Sequence, residues 1–334
     1  MTFAPSRRAV LGGVALAGVA ATAQARTHTP QTLSGTPDSP VEIPAPAEPA
    51  GLLSNEVVEV WPQGRVPGAD GVTVQRLVLE RGAPQAHDRA VMHVTQPILE
   101  VFRPERPNGA AIILLPGGGY VRLAVDKEGA GGARRLVQSG VTAFVLNYRL
   151  PGDGWTAAYD APLQDVQRAV RLVRGRAAEW GLDVARIGVM GFSAGGHLAA
   201  ASLTRHDDAV YDAVDAHDTV SARPDLAVLG YAVMSVRPRL GMAEDAAWAT
   251  PPNERVRPGL APTFILHAAD DRTVPVANSL AMFQALKAAD VPTEMHIYQE
   301  AGHGFGFSLP PDRPASHWPD AFEAWAAKYG FGPA

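Results

Sequence analysis

A serine between glycines is the first candidate for chemistry in this sequence. Residues 191–195 read Gly-Phe-Ser-Ala-Gly, the G-x-S-x-G pattern with Ser193 at its centre. An apolar run at 187–190 precedes the pattern and an Ala-rich stretch at 197–203 follows it, as expected for a strand-turn-helix junction. Flanking glycines let strand and helix approach closely, so that the hydroxyl stands clear of the sheet. We therefore predict that Ser193 is a nucleophile, although the pattern alone also arises by chance.

A base for this serine is expected further along the chain. A serine hydroxyl is a poor nucleophile until a base takes its proton, and after a nucleophile of this type the acid comes next and the histidine last. His303 lies between two glycines, in a loop that follows strand-like residues 294–298 and precedes a helical pattern at 317–329. A buried core histidine is the alternative, but glycine on both sides favours an exposed loop. His303 is the predicted base.

The acid that orients the base is expected after the apolar run at 263–266. Two adjacent aspartates, Asp270 and Asp271, follow that run. Either carboxylate could hold the imidazole of His303 and stabilise its protonated form. The other would face the loop or cap it. His267, at the end of the same run, is predicted to be structural.

A run of glycines could supply the electrostatic part of the chemistry. Residues 116–120 read Pro-Gly-Gly-Gly-Tyr and follow an apolar run at 110–115. Attack on a carbonyl carbon creates an oxyanion that needs donors already in place, and we assign this role to the backbone N–H groups of Gly118, Gly119 and Ala194. The run could instead be a flexible turn or a nucleotide loop, but neither phosphate-binding glycine pattern is present.

Buried strands alternate with helical patterns from residue 110 onward. The apolar runs lie at 110–115, 141–146, 187–190, 227–233 and 263–266. In the clearest helical pattern, 160–180, apolar residues recur at steps of three and four; Asp160 is expected to cap it and Pro162 to lie in its first turn. This order predicts an α/β fold with a mostly parallel sheet, helices on both faces and a reaction site at the carboxyl ends of the strands.

Composition excludes several other classes of protein. A chain of 334 residues can form one large domain, and a formal net charge of −5 gives no basic footprint for nucleic acid or an anionic membrane. The absence of cysteine excludes disulfides, thiolate metal sites and cysteine nucleophiles. No His, Asp and Glu cluster has the spacing of a zinc helix, so neither a metal nor an organic cofactor is expected.

The N-terminus has the pattern of an export signal. Arg7 and Arg8 precede a small apolar run at 9–20, and Ala-x-Ala sites follow it. Residues 6–11 resemble a twin-arginine signal, which would export the folded protein to the periplasm or beyond; Val10 replaces the usual Phe, so a general secretory signal stays open. The run is too short to span a bilayer, and no stable membrane association is expected.

Three segments are predicted along the chain. An export signal occupies 1–25, and a Pro-, Thr- and Ala-rich stretch at 26–50 forms a flexible leader. One catalytic domain occupies 51–334, and it begins with short β-favouring runs at 57–60, 72–79, 90–94 and 98–102. The sequence leaves the oligomeric state open.

Taken in order, the motifs resemble those of α/β-hydrolases related to bacterial feruloyl and acetyl-xylan esterases. The resemblance starts near residue 59 and is carried by residues 116–120, 126–129, 147–151, 191–198, 270–275 and 303–305. It implies the α/β-hydrolase fold and the removal of acetyl or other small acyl groups from plant polysaccharides or oligosaccharides through an acyl-Ser193 intermediate. It also favours Asp271 as the acid, since in related hydrolases the acid lies three residues before a pair such as Val274-Pro275.

Two departures narrow the expected substrates. Pro116 stands where many lipase-type relatives carry His, though the polysaccharide-esterase-like group tolerates Pro. Only about residues 237–258 are left for a cap or lid, which argues against a lipase that buries long acyl chains. Small acyl esters and acylated oligosaccharides are therefore the expected substrates.

Aromatic residues near the motifs are candidates for recognising sugar or acyl groups. They are Tyr120, Trp155, Trp248 and Phe305. Aromatic faces stack well on sugar rings, but the same residues could instead pack the loops together, and the sequence favours neither interpretation.

Other functions are open at this point. A broad small-ester carboxylesterase or an amide-cleaving relative would use the same groups, although no propeller-like repeat supports a peptidase. A non-catalytic binding protein on the same fold is disfavoured because nucleophile, acid, base and oxyanion loop are all present.

Overall fold

The computed structural model of the chain describes residues 35–83, 86–236 and 247–332. The predicted export signal lies outside these residues, as do the start of the leader and residues 237–246 of the predicted cap. In the rest of the cap region, short 3₁₀ turns occur at Ala247–Ala249 and Pro252–Arg255.

The described strands form two sheets. They are β1 (Val41–Ile43), β2 (Val57–Glu59), β3 (Leu77–Glu80), β4 (Arg89–Met92), β5 (Ile98–Phe102), β6 (Ala111–Leu115), β7 (Thr142–Asn147), β8 (Ile187–Phe192), β9 (Leu226–Gly230), β10 (Thr263–Ala268) and β11 (Thr293–Tyr298). The large sheet has the order β11-β10-β9-β8-β6-β7-β5-β2, and the small one β1-β3-β4. Neighbours from β11 to β7 are parallel, while β5 and β2 add antiparallel pairs. The prediction of a mostly parallel sheet is confirmed.

Helices cover both faces of the large sheet. They are α1 (Gly131–Gln138), α2 (Ala161–Gly175), α3 (Ala194–Thr204), α4 (Ala277–Ala288) and α5 (Trp318–Ala326). Alternate residues of β6 enter opposite cores: Ile113 and Leu115 join the core with α2, α3 and α4, whereas Ile112 and Leu114 join the core with α1 and α5. Among the described helices, none is long and apolar enough to cross a membrane.

Three local predictions need correction. The run 72–79 is a strand only from Leu77, and the leader prediction is wrong for 41–43, because β1 pairs with β3 and so joins this part of the chain to the fold. Asp160 makes no side-chain cap to α2. Its carboxylate instead accepts hydrogen bonds from Arg205 and Trp248, so it is engaged elsewhere.

A buried ion pair fixes the chain after β7. Arg149 is fully buried, and its guanidinium and backbone N–H both bind the Asp165 carboxylate on α2. The indole N–H of Trp61 donates to the same carboxylate at 2.7 Å. A buried charge is tolerated only when it is paired and hydrogen-bonded. The segment 147–151 therefore has a structural role. Its Tyr148 hydroxyl donates to the Pro116 carbonyl at the start of the glycine loop.

Candidate active site

The turn after β8 holds Ser193 in an unusual backbone conformation. Its φ is 54° and its ψ is −117°, a strained region for a residue with a side chain. The Ser193 N–H donates to the Gly230 carbonyl at 2.9 Å, and its own carbonyl accepts from His197 at 3.0 Å. A Cβ at Gly195 would lie 2.0 Å from the Leu115 carbonyl oxygen, so only glycine allows α3 to start this close to the sheet. The structure has the strand-turn-helix geometry that the G-x-S-x-G pattern predicts.

The three residues predicted to act together form one hydrogen-bonded chain. The Ser193 hydroxyl lies 2.9 Å from Nε2 of His303, and Nδ1 of His303 lies 2.6 Å from Oδ2 of Asp271. A carboxylate accepts hydrogen bonds, so Nδ1 carries the proton and Nε2 is free to accept from the serine. All three follow carboxyl ends of parallel strands: β8, β11 and β10. The predicted nucleophile, base and acid thus meet at one edge of the sheet.

The carboxylate of Asp271 is held on several sides. Its side chain is fully buried, and Oδ1 accepts from the backbone N–H groups of Thr273 and Val274. Nε2 of His267 lies 2.9 Å from the Val274 carbonyl and 3.4 Å from Oδ2 of Asp271, while Nδ1 lies 2.7 Å from the Ser279 hydroxyl. Since a carbonyl only accepts, Nε2 carries the proton. Burial lowers the pKa of His267, which favours this neutral form beside the acid.

Asp270 has a different task from its neighbour. Its Oδ1 accepts from the backbone N–H groups of Ala301 and Gly302, at 3.0 and 2.9 Å. These hydrogen bonds lower the pKa of Asp270 and keep its carboxylate charged. Asp270 therefore anchors the loop that carries His303, whereas Asp271 contacts the imidazole itself.

The glycine loop after β6 lies beside the serine. Gly118 and Gly119 line a cavity of about 540 Å³ together with Ser193 and His303. Gly118 has a φ of 137°, and a Cβ there would lie 2.1 Å from the Arg122 carbonyl oxygen. Among the described residues, no acceptor binds the N–H groups of Gly118, Gly119 or Ala194. Three backbone N–H groups without an acceptor, close to Ser193, fit the predicted oxyanion hole.

Tyr120 connects the glycine loop to the helix after the nucleophile. Its hydroxyl lies 2.9 Å from Nδ1 of His197 on α3, and both residues are buried. Burial, with a smaller effect of the Arg205 charge, lowers the pKa of His197 to about 3. The imidazole is therefore neutral at physiological pH, and its Nδ1 can accept a hydrogen bond from the Tyr120 hydroxyl. This contact fixes the glycine loop relative to α3.

A buried carboxylate that sequence reasoning did not assign joins the glycine loop to the histidine loop. Glu128 lies in a π-helical turn, Val125–Ala130. Its Oε2 accepts from the Gly117 N–H at 2.6 Å, and its Oε1 accepts from the Tyr231 hydroxyl at 2.8 Å. The Tyr231 oxygen in turn accepts from the Gly306 N–H at 3.0 Å. Burial raises the pKa of Glu128. The only signal in the sequence was its place in the 126–129 motif.

The proposed substrate-binding aromatics are buried in packing instead. Tyr120, Trp155, Trp248 and Phe305 are each at most 4% exposed, and none of them lines the cavity beside Ser193. Tyr120 packs on Trp248, Trp155 lies beneath the Arg149 guanidinium, and Phe305 packs on Tyr231. Their burial favours the alternative interpretation, that they pack the loops together, over a role in substrate binding.

The arrangement can perform acyl transfer. His303 can take the proton of the Ser193 hydroxyl, Asp271 can stabilise the imidazolium, and the amides of the glycine loop can receive a developing negative charge. Among the described residues, no group of three His, Asp or Glu side chains could hold a metal ion.

Comparisons with known proteins find similarity to esterases. The BD-FAE family model matches residues 99–230. The acetylxylan esterase of Xylanibacter ruminicola is 33% identical over 222 residues, which cover 62% of this chain and 43% of that protein. The chain thus spans less than half the length of this curated relative.

Solved structures extend the similarity over most of the chain. An acetyl ester-xyloside bifunctional hydrolase from Caldicellulosiruptor lactoaceticus is 32% identical with a TM-score of 0.67, covering 85% of this chain and all of the other. The propionate-bound esterase Est2 of Thermogutta terrifontis is 26% identical with a TM-score of 0.61, covering 72% of this chain and 92% of the other.

The two aspartates give a matched test of the site. Asp271→Asn should lower kcat for p-nitrophenyl acetate by roughly 10³–10⁴-fold, because an amide cannot hold the imidazole in the required tautomer. Asp270→Asn retains a carbonyl oxygen that can accept the loop N–H groups, so its kcat should fall by less than about tenfold. Steady-state kinetics of both variants decide the matter, and the reverse ranking would move the acid to Asp270.

Glu128 gives a test of loop positioning. Glu128→Gln leaves one oxygen for two donors, so either Gly117 or Tyr231 loses its acceptor; kcat should fall by about 10–100-fold with KM little changed. Glu179→Gln, which breaks an exposed ion pair with Arg176, is the control and should keep full activity. Kinetics on p-nitrophenyl acetate, with thermal melts of both variants, separate lost positioning from lost folding. A change confined to KM would contradict this role.

Proposed function

Because this chain belongs to the α/β-hydrolase esterases, we propose that it is a serine esterase that removes acetyl or other small acyl groups from carbohydrate esters. The observation that carries the proposal is the continuous hydrogen-bonded chain from Ser193 through His303 to Asp271. Backbone N–H groups with no acceptor among the described residues lie beside this chain. The family supports ester chemistry, and the cavity supports the choice of substrate.

Acylation begins with the serine hydroxyl. His303 accepts the hydroxyl proton at Nε2 while Oγ of Ser193 attacks the ester carbonyl carbon. The carbonyl oxygen becomes an oxyanion, which the N–H groups of Gly118, Gly119 and Ala194 stabilise. His303 then donates its proton to the leaving alcohol, and an acyl-Ser193 ester remains.

Deacylation repeats these steps with water as the nucleophile. Neutral His303 accepts a proton from water, which attacks the acyl carbon, and the same backbone donors stabilise the second oxyanion. Collapse of this intermediate breaks the bond to Oγ and returns the proton from His303 to Ser193. The acid is released and the enzyme is regenerated.

The lining of the cavity supports small acyl groups. Among the described residues, Val121 and Ala124 are the only apolar side chains that line it, and the others are glycines or polar residues. Few apolar side chains are therefore available to pack against a long alkyl chain. The volume of about 540 Å³ lies within the usual range of small-molecule sites, about 300–1,000 Å³. An acylated sugar therefore suits the cavity better than a lipid.

A broad-specificity carboxylesterase is the second candidate. Est2 of Thermogutta terrifontis, which was solved with propionate bound, has the same fold, and the site chemistry is common to both candidates. The two functions differ in the alcohol part of the ester, so substrate panels rather than mutations separate them.

Acyl length and alcohol type test this proposal. Ser193→Ala should lower hydrolysis of p-nitrophenyl acetate by roughly 10⁴-fold or more with an almost unchanged melting temperature. The wild-type rate should fall by at least about tenfold from acetate to octanoate esters. Acetate release from acetylated xylan, xyloglucan and pectin oligosaccharides, measured beside aryl esters, should exceed that from simple alkyl acetates. A flat chain-length profile would favour the carboxylesterase.

We also propose that the chain is exported, on the basis of the twin-arginine-like pattern at 6–11. A folded reporter fused behind residues 1–34 should reach the bacterial periplasm. The same reporter with Arg7→Lys and Arg8→Lys should stay inside the cell. Equal export of both fusions would indicate the general secretory route, and retention of both would contradict export.

A further inference from the structure

Cationic side chains surround one part of the cavity beside Ser193. Arg81, Arg122 and Lys127 all line it, although the chain as a whole carries a net charge of −5. The described carboxylates near them are Asp88 and Glu128. Cationic residues therefore outnumber acidic ones in the lining of this cavity.

The local charges do not cancel. Asp88 binds Arg81 at 2.7 Å and Lys127 at 2.9 Å, so a single carboxylate serves two cations. Glu128 is already engaged by Gly117 and Tyr231. Within the described part of the chain, no carboxylate pairs with Arg122, and its buried Nε has no hydrogen-bond partner. Burial lowers the pKa of Arg122, and the Arg81 charge lowers it further.

Arg122 is placed beside the predicted oxyanion hole. Its backbone N–H donates to the Gly118 carbonyl at 3.3 Å, and a Cβ at Gly118 would lie 3.0 Å from its Cγ. The stem of Arg122 therefore packs against the glycine loop, and Arg122 is one of the residues that line the cavity. The nearby charge of Asp88 opposes the lowering of the pKa of Arg122, but none of the described carboxylates contacts its guanidinium directly. A partly desolvated guanidinium without a direct partner is costly, and its planar donors match a carboxylate in bidentate fashion.

His303, the predicted proton donor to the leaving group, lines the same cavity as the three cationic residues. The Lys127 carbonyl would lie 2.9 Å from a Cβ at Gly306, three residues after His303. His303 gives its proton to the leaving alcohol, so the alcohol part of the ester is placed nearest to His303.

We propose that Arg122, with Arg81 and Lys127, binds a carboxylate in the alcohol part of the substrate, so that the preferred esters are acylated uronic acids. This inference rests on the proposed esterase function and narrows its substrate to acidic sugars. Arg122 is the specificity-determining residue, and Arg81 and Lys127 supply the surrounding positive field.

A pair of substrates that differ only in charge tests the proposal. Acetylated methyl galacturonoside carries the carboxylate, and the corresponding carboxamide is its neutral counterpart. The wild-type kcat/KM should be on the order of tenfold higher for the carboxylate, mainly through KM. Arg122→Gln should reduce this preference to within about twofold. Added salt should weaken the wild-type preference.

A control variant that loses the same charge elsewhere, and a substrate with its carboxylate on the acyl part, complete the test. Arg134→Gln removes an exposed arginine that does not line this cavity and should keep the preference. Equal losses of kcat on charged and neutral esters in Arg122→Gln would mean that Arg122 stabilises the oxyanion, and would overturn the proposal. p-Nitrophenyl hemisuccinate carries its carboxylate on the acyl part of the ester. If the enzyme prefers this ester to p-nitrophenyl acetate but does not prefer the uronoside to its carboxamide, the cations bind the acyl part, and the placement on the alcohol part is overturned.

Binding without turnover separates this inference from the proposed function. The Ser193→Ala variant should bind the acetylated galacturonoside more tightly than its carboxamide in calorimetry, and adding Arg122→Gln should abolish the difference. If neither ester is hydrolysed by the wild type but this binding difference is present, the esterase function fails and the carboxylate site stands. If both esters are hydrolysed and bound equally, the esterase stands and the carboxylate site fails.

Discussion

The position of one imidazole depends on one buried carboxylate. Asp271 holds Nδ1 of His303 at 2.6 Å, and the amides of Thr273 and Val274 fix the carboxylate in turn. Because this bond decides which ring nitrogen carries the proton, it also decides whether Ser193 has an acceptor for its own. The parallel sheet brings the ends of β8, β10 and β11 together, and the loops beyond those ends complete the geometry.

The loops are joined to one another by buried polar contacts, not only by the sheet. Glu128 connects the glycine loop to Tyr231 and through it to the histidine loop, while Tyr120 connects the glycine loop to His197 on α3. A buried polar network with all its members satisfied favours one geometry over its alternatives. These contacts therefore hold the glycine loop, the histidine loop and α3 in one arrangement, as preorganised catalysis requires.

Local patterns in the sequence predicted the fold and the reacting groups. Apolar runs predicted the central strands, and the glycines around Ser193 and His303 predicted turns, because these features depend on neighbours in the chain. Long-range contacts were not predictable. Glu128 meets Tyr231 across 103 residues, and the cap expected at Asp160 was lost to partners far along the chain. The surroundings of the aromatic residues could not be predicted for the same reason, because the sequence does not show whether a ring faces a cavity or a core.

The adjacent aspartates have a consequence for engineering this scaffold. Asp270 accepts hydrogen bonds from the backbone N–H groups of residues 301–302, and Asp271 binds the imidazole of His303. Two consecutive carboxylates therefore hold the backbone and the side chain of one loop. Inserting or deleting a single residue just ahead of them would displace both carboxylates and disturb both interactions. Segment 269–275 is thus tolerant of side-chain changes at its exposed positions but intolerant of changes in length, and variation in loop length belongs elsewhere on the domain.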